Sequence, residues 1–269
     1  MSEPLLAYQF QSLAGLPLVH GLSGRVPSRL FEGDVGHGRG TVAEAIEQNR
    51  TAFLDELGLA ADTLTVGRQT HGANVRVVDA GESGLGRYPA FDGFPDTDAL
   101  ATDEPGVTLG VIVADCVPIL IYDPEHHVVA VVHAGWRGTV AGIAGNAVST
   151  LRTRFRSDPR RLIAGIGPSI GPCCYQVGEE VISRWNDRTI SVMPEDDTSV
   201  RCVESAYHFD LWEANRQVLR AAGMNNDRIE TSGVCVRCRG ERFFSYRAAG
   251  QGLASPGRML MVAQLQPRS

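Results

Sequence analysis

A chain of 269 residues with a hydrophobic share of 43% can bury one sizeable core, as one large domain or two small ones. A formal net charge of −6 argues against a nucleic-acid binder held by phosphate contacts. All 25 basic residues are Arg, so chemistry that needs a Schiff-base or phosphate-loop lysine is excluded.

The opening MSEPLLAYQF lacks a basic region followed by a long apolar run, and no run of 18 or more apolar residues follows. The expected compartment is the cytoplasm, with no membrane partner. The 6 Cys are therefore expected as thiols or ligands, not as a disulfide framework.

Residues 5–22 mix short apolar runs with Gly and Pro and suggest one or two strands. A Gly-rich loop over 32–40 resembles no phosphate loop. Thr41-Val42-Ala43-Glu44 forms a capping box. The helix it opens places Ala43, Ile46, Phe53, Leu54 and Leu57 on one face, and Gly58 can end it. Residues 63–79 read as two strands around a turn at His71-Gly72-Ala73-Asn74, then a Gly/Pro/Asp loop runs over 80–97.

The stretch 109–138 is the apolar centre of the chain. It reads as strands 117–122 and 128–133 joined at Asp123-Pro124-Glu125-His126. With the turn centred between Pro124 and Glu125, Cys116 faces His133 directly, their Cβ atoms roughly 5 Å apart. A helix over 139–155 follows, with Gly142 and Gly145 allowing close packing, then a strand over 160–167 and a rigid turn segment over 165–175. A short helix covers 178–186, and 187–200 is polar surface loop. Asp210-Leu211-Trp212-Glu213 caps another helix that Gly223 can close. Strands over 229–234 and 259–265 flank turn and strand at 235–238 and 242–247. With no repeat, linker or low-complexity tract, residues 1–269 read as a single mixed α/β domain.

His71, Cys116 and His133 are the strongest chemical candidates. Two His and one Cys suit zinc, and three protein ligands leave a fourth tetrahedral position for water or substrate. A water so held ionises near neutral pH. Alternatively, Cys116 is a covalent nucleophile with His133 as its base. Asp115, pointing to the opposite strand face, is expected to support the site and not to ligate. Cys235-x-x-Cys238 has metal-like spacing, but the adjacent Cys173-Cys174 pair fits a four-Cys zinc poorly, so these are expected as buried thiols. Arg137, within Gly135-Trp136-Arg137-Gly138, could bind an anion or simply start a helix, and Arg25 and Arg247 are further anion candidates. His126 and His127 are expected to be solvated on their turn, and His208 to serve the Asp210 cap.

Several blocks strongly resemble the YfiH/LACC family, labelled multicopper polyphenol oxidase laccase and later recognised as purine nucleoside enzymes. They are Gln69-Thr70-His71-Gly72, Asp98-Ala99-Leu100, Ala114-Asp115-Cys116, and His133 through Gly138. Gly167-Pro168, Gly171 through Tyr175, and Phe243 through Arg247 complete them. The resemblance runs from about His20 to Leu265. It implies one α+β domain with mixed sheets in α/β/β/α layers. It implies zinc on His71, Cys116 and His133, with nearby arginines holding phosphate. The implied activities are phosphorolysis of adenosine, inosine, guanosine or methylthioadenosine to base and ribose 1-phosphate, and adenosine deamination. The partners would be small-molecule nucleosides and phosphate. Around Arg25 the chain departs from the family: Gly24 stands where a Thr is usual, Arg25-Val26-Pro27 lacks a double Gly, and 26–40 is shortened.

Three alternatives are kept. A copper polyphenol oxidase fits the His₂Cys set, but a laccase also needs a three-copper cluster, and 7 His without a His-x-His cannot supply it. A Cys/His amide hydrolase, including one editing peptidoglycan precursors, would work without metal. A binding module would use zinc only as a staple, against which the open fourth position argues.

Overall fold

In the computed structural model, which describes residues 4–36, 42–87, 93–188, 197–203, 206–254 and 256–268, the apolar runs build two large sheets stacked face to face. In chain order the strands are β1 (Leu6–Tyr8), β2 (Leu18–Ser23), β3 (Leu64–Val66), β4 (Val75–Val77), β5 (Ala99–Thr102), β6 (Thr108–Val113) and β7 (Val117–Asp123). They continue as β8 (Val128–Ala134), β9 (Ile163–Ile166), β10 (Gln176–Val177), β11 (Val200–Val203), β12 (Ala206–Phe209), β13 (Ile229–Thr231) and β14 (Met259–Leu265). The helices are α1 (Ala43–Glu56), α2 (Trp136–Val140), α3 (Ile143–Phe155), α4 (Glu179–Asn186), α5 (Leu211–Ala221) and α6 (Tyr246–Gly250).

One sheet has the order β1-β2-β14-β6-β3 and the other β13-β9-β7-β8-β5-β4; a small antiparallel sheet, β10-β12-β11, stands apart. Both large sheets are mixed. The β3–β6, β4–β5 and β9–β13 pairs are parallel and the rest antiparallel.

Strand alternation explains the layering. On β7 and β8, Val117, Ile119, Ile121, Val128, Ala130 and Val132 face a core shared with α3 and α5. The intervening Leu120, Tyr122, Val129 and Val131 face Leu109, Val111, Met259 and Met261 of the other sheet. The far face of that other sheet, through Leu64, Val66, Leu260 and Val262, packs on Phe53 and Leu54 of α1. Three apolar interfaces thus separate four layers, helix/sheet/sheet/helix, and the chain is an α+β protein as the resemblance implies. Because β7 and β8 are covered on both sides, they read as continuous apolar runs.

Several local expectations change. The hairpin turn runs over 124–127, one residue later than expected, with His127 at a φ of 58°. Pro118, not Cys116, therefore pairs with His133. A two-residue displacement preserves the face, so Cys116 and His133 still project into the same interlayer space, diagonally instead of directly. His127 is buried, its ring bonded to Tyr122 Oη (3.0 Å) and Gln266 O (2.8 Å). His126 is exposed and contacts Asp123 (2.9 Å). Strands β3 and β4 belong to different sheets and form no hairpin. The helix expected over 139–155 is two, starting earlier at Trp136 and broken where Gly142 takes a φ of 78°. Residues 242–247 give no strand but the start of α6, and 229–234 keeps strand form only over Ile229–Thr231.

The Asp210 cap holds, its carboxylate accepting from Trp212 and Glu213 N–H. Gly223, at a φ of 101°, follows α5. His208 does not serve that cap; its Nδ1 meets Pro172 O at 2.6 Å. Thr41, the expected N-cap of α1, lies outside the described residues, as do 37–40, 88–92 and 189–196 of the expected loops.

Leu120 is fully buried between the sheets. Leu120→Ala should lower the free energy of unfolding by ~2–5 kcal/mol, read as an earlier midpoint in urea with an unchanged slope.

Candidate active site

The candidate side chains collect where the chain passes from one sheet to the other. Residues 114–116 carry β6 of the five-stranded sheet into β7 of the six-stranded sheet, and Asp115 makes that corner at a φ of 77°. Residues 67–74 cross likewise from β3 to β4, with His71 at a φ of 63°. Gln69 fastens this second crossing to β6: its Nε2 donates to Ile112 O and its Oε1 accepts from Ile112 N, both at 2.7 Å. His133 is the penultimate residue of β8, just before α2.

The donor atoms of His71, Cys116 and His133 all lie within 4.8 Å of one another. His133 is buried, Cys116 half-buried and His71 exposed, so the cluster is open on the His71 side. The two imidazoles meet edge to face with centroids 4.9 Å apart. Close approach requires Gly135, where a Cβ would stand 2.9 Å from His71 Cδ2 and 3.0 Å from Cys116 Sγ.

Asp98, fully buried, orders this cluster. Its Oδ1 accepts from His133 Nδ1 (2.8 Å) and His71 N (2.9 Å). Its Oδ2 accepts from Thr70 N (3.1 Å) and Gly72 N (2.9 Å). Burial pushes its carboxyl up, but the His133 ring and these N–H groups outweigh that and hold it down at about 2. With the Nδ1 proton committed to Asp98, Nε2 is the His133 atom left for the cluster.

Burial also pushes the Cys116 thiol up, yet the charge and hydrogen bonds of His133 and His71 bring it down to about 6. Burial pushes His133 down, and the Cys116 charge with the Asp98 hydrogen bond raises it to about 9. Both shifts favour a thiolate beside an imidazolium in the metal-free pair.

The cluster lies in a cavity of about 680 Å³, a size suited to a small organic ligand. Trp136, Tyr175 and Tyr246 supply flat walls and Arg68, Arg137, Arg247 and Arg258 supply positive charge. Arg137 stacks over Trp136 (4.2 Å) and Arg247 lies over Tyr175 (5.5 Å). Asp115 accepts from Ser245 Oγ (2.7 Å) and Arg247 N (2.6 Å), which fixes the start of α6 to the Cys116 crossing. Burial pushes the Asp115 carboxyl up despite these bonds.

The structure therefore brings together His71, Cys116, His133, Arg137 and Arg247. It does not bring Arg25 to the cavity wall: that guanidinium pairs with Glu32 (2.8 and 3.1 Å) and donates to Gly240 O (2.7 Å). Sequence reasoning passed over Arg68 and Arg258, which come from segments with no periodic signal, and met Tyr175 and Tyr246 only inside motifs. Asp98 was visible only as part of a motif. Arg137 both starts α2 and faces the cavity, so the two readings of Gly135-Trp136-Arg137-Gly138 are compatible.

Residues 23–266 match the family described as multi-copper polyphenol oxidoreductase laccase. The chain belongs to this family. Among its relatives, the purine nucleoside phosphorylase YlmD of Geobacillus stearothermophilus is 36% identical over 251 residues, 93% of this chain and 88% of that protein. The adenosine deaminase RL5 of an unknown prokaryotic organism is 39% identical over 208 residues, 75% of this chain and 76% of its own. The crystal structure of Geobacillus stearothermophilus YlmD superposes with a TM-score of 0.88 at 32% identity, covering 98% of this chain and 100% of that one. The laccase-like family thus includes proteins named for purine nucleoside chemistry. Among the described residues no helix is long and apolar enough to cross a membrane.

Asp98→Asn replaces one acceptor oxygen with a donor and should weaken metal binding at the trio about 10- to 100-fold, measured by competition with a chelating dye. Gly135→Ala should lose the metal outright while keeping the circular dichroism of the parent. A metal ion needs a neutral imidazole. With the thiol ionised above about 6 and His133 protonated below about 9, zinc binding near pH 7.5 should release about one proton, read by calorimetry in buffers of different ionisation enthalpy.

Proposed function

We propose that the protein is a zinc-dependent purine nucleoside enzyme, phosphorolysing nucleosides such as adenosine, inosine, guanosine and methylthioadenosine, and deaminating adenosine. The observation that carries the reading is an open His₂Cys cluster within a cavity that also presents aromatic faces and arginines. The names of the relatives point the same way.

The donor set fits zinc: two imidazole nitrogens and a thiolate are its common ligands, and three protein donors leave one position open. Bound there, zinc would supply a Lewis acid at the open position. The other work belongs to the chain. Arg68, Arg137, Arg247 and Arg258 line the space where an anion would sit, and their planar forks match phosphate oxygens. In phosphorolysis, phosphate oxygen attacks the ribose C1′ as the purine leaves, so holding the two together is the main contribution. Trp136, Tyr175 and Tyr246 offer faces for the purine. Asp115 positions Arg247 through its backbone, and Asp98 keeps the His133 proton on Nδ1.

Copper chemistry of the laccase type is less well served. Among the described residues only His71 and His133 reach the cavity; His20, His126, His127 and His208 are engaged elsewhere. A second reading has a specific observation behind it: the Cys116 thiolate, the His133 imidazolium and Asp98 on Nδ1 are arranged as a nucleophile, base and orienting acid. That reading requires activity after complete metal removal.

Adenosine incubated with the purified, metal-assayed protein should yield adenine only when phosphate is present, and inosine with or without it, by chromatography. Cys116→Ala should abolish both products. An intact nucleoside despite bound zinc would overturn the reading, and turnover that survives a chelator would favour the metal-free one. Arg137→Ala or Arg247→Ala should raise the phosphate KM at least about tenfold, as expected when a charge-assisted contact is lost. Arg25→Ala should leave that KM unchanged, because its side chain serves Glu32 and Gly240.

A further inference from the structure

A second cluster of donors lies outside the three-ligand set. The Sγ atoms of Cys173, Cys174, Cys235 and Cys238 all lie within 4.8 Å of one another. Only Cys235 is buried, so the expectation of four buried thiols fails. The cysteines are brought together by backbone, from segments 64 and 65 residues apart. Ser169 and Cys235 form an isolated parallel bridge, with Ser169 N donating to Val234 O (3.2 Å) and Val236 N to Ser169 O (2.9 Å). A tight turn follows in which Cys174 N and Tyr175 N both donate to Gly171 O (2.9 and 3.0 Å). This turn lets neighbouring cysteines approach one partner: Cys238 Sγ is 3.7 Å from Cys173 Sγ and 3.4 Å from Cys174 Sγ. The adjacency that counted against a metal site in the sequence is resolved by that turn.

We propose that these four cysteines form a structural zinc centre, separate from the His71–Cys116–His133 cluster and independent of the activity assigned to it. Zinc–sulfur bonds of about 2.3 Å place tetrahedral sulfurs roughly 3.8 Å apart, close to the 3.7 and 3.4 Å from Cys238 to Cys173 and Cys174. Four thiolates close the tetrahedron and leave no position for substrate, which marks a structural site. Soft sulfur donors select zinc over magnesium or calcium.

Four thiolates round one dication carry excess negative charge, and two donors are already aimed at the sulfurs. Gly171 N donates to Cys235 Sγ (3.3 Å), and Arg237 Nη1 donates to Cys174 Sγ (3.2 Å). The centre would tie the turn that ends in Tyr175 to the segment that leads into Arg247. These two residues share a cavity wall: Arg247 Nη1 donates to Gln176 O at 3.0 Å, beside Tyr175.

Metal analysis of the full chain produced in zinc-containing medium tests this. Wild type should carry two zinc ions and Cys116→Ala one. The double variant Cys174→Ser/Cys238→Ser should carry one, and the combination of all three substitutions none. Should the double variant fail to fold, Cys116→Ala alone decides. Its zinc should be released only as an organomercurial titrates its thiols, and cobalt in its place should show the intense visible bands of a tetrahedral tetrathiolate. The proposal is overturned if Cys116→Ala holds no metal after dialysis and its thiols all react at once with a disulfide reagent. It is equally overturned if iron occupies the site, or if mass spectrometry finds a disulfide among the four.

Discussion

One buried carboxylate holds the site in shape. Asp98 accepts four N–H groups, three from the backbone of the 70–72 turn and one from the His133 ring. A buried charge is tolerated only when its acceptor capacity is filled, and here the donors come from the β3–β4 crossing and from strand β8. The carboxylate therefore does more than orient one imidazole. It sets where His71 stands, because the His71 N–H is one of its donors, and it holds His71 in a left-handed backbone conformation that a bulky residue does not adopt unaided.

The location of the cavity follows from the layering. Two sheets sharing one apolar interface leave an opening at the strand ends where the chain changes layers. Polar residues can occupy that opening without breaching a core. The β3–β4 and β6–β7 crossings place His71 and Cys116 there, and β8 contributes His133 on the face that points into the interlayer space. The apolar walls and the polar floor of the cavity are thus two aspects of one topology. Substitutions in the crossings can alter chemistry while leaving the four layers as they are.

How much was legible in the sequence depended on the range of the interaction. The hairpin, its apolar faces and the shared side of Cys116 and His133 follow from alternation, which survives a two-residue error in register. The error itself came from a turn that sits one residue later, at 124–127, with His127 buried where solvation was expected. The two strands flanking His71 were legible, but alternation cannot say which of two sheets a strand joins. The four cysteines were undervalued because spacing along the chain carries no information about a parallel bridge between distant loops. Arg25 matched a motif, but Glu32 claims its guanidinium. Arg68 and Arg258 gave no signal, since exposed arginines are common and only the fold turns these two toward the cavity.

The cavity's positive charge comes from Arg68, Arg137, Arg247 and Arg258, in a chain without lysine. A guanidinium keeps its proton far into the alkaline range, whereas an ammonium would begin to lose it near pH 10. Buried Arg50, which burial lowers to about 10, stands away from the cavity wall. The charge in this opening that changes above neutrality is that of the Cys116–His133 pair, whose imidazolium is raised to about 9 in the metal-free protein. An alkaline loss of anion binding by the metal-free protein would therefore report His133 giving up its proton, together with thiols, phenols or the anion itself.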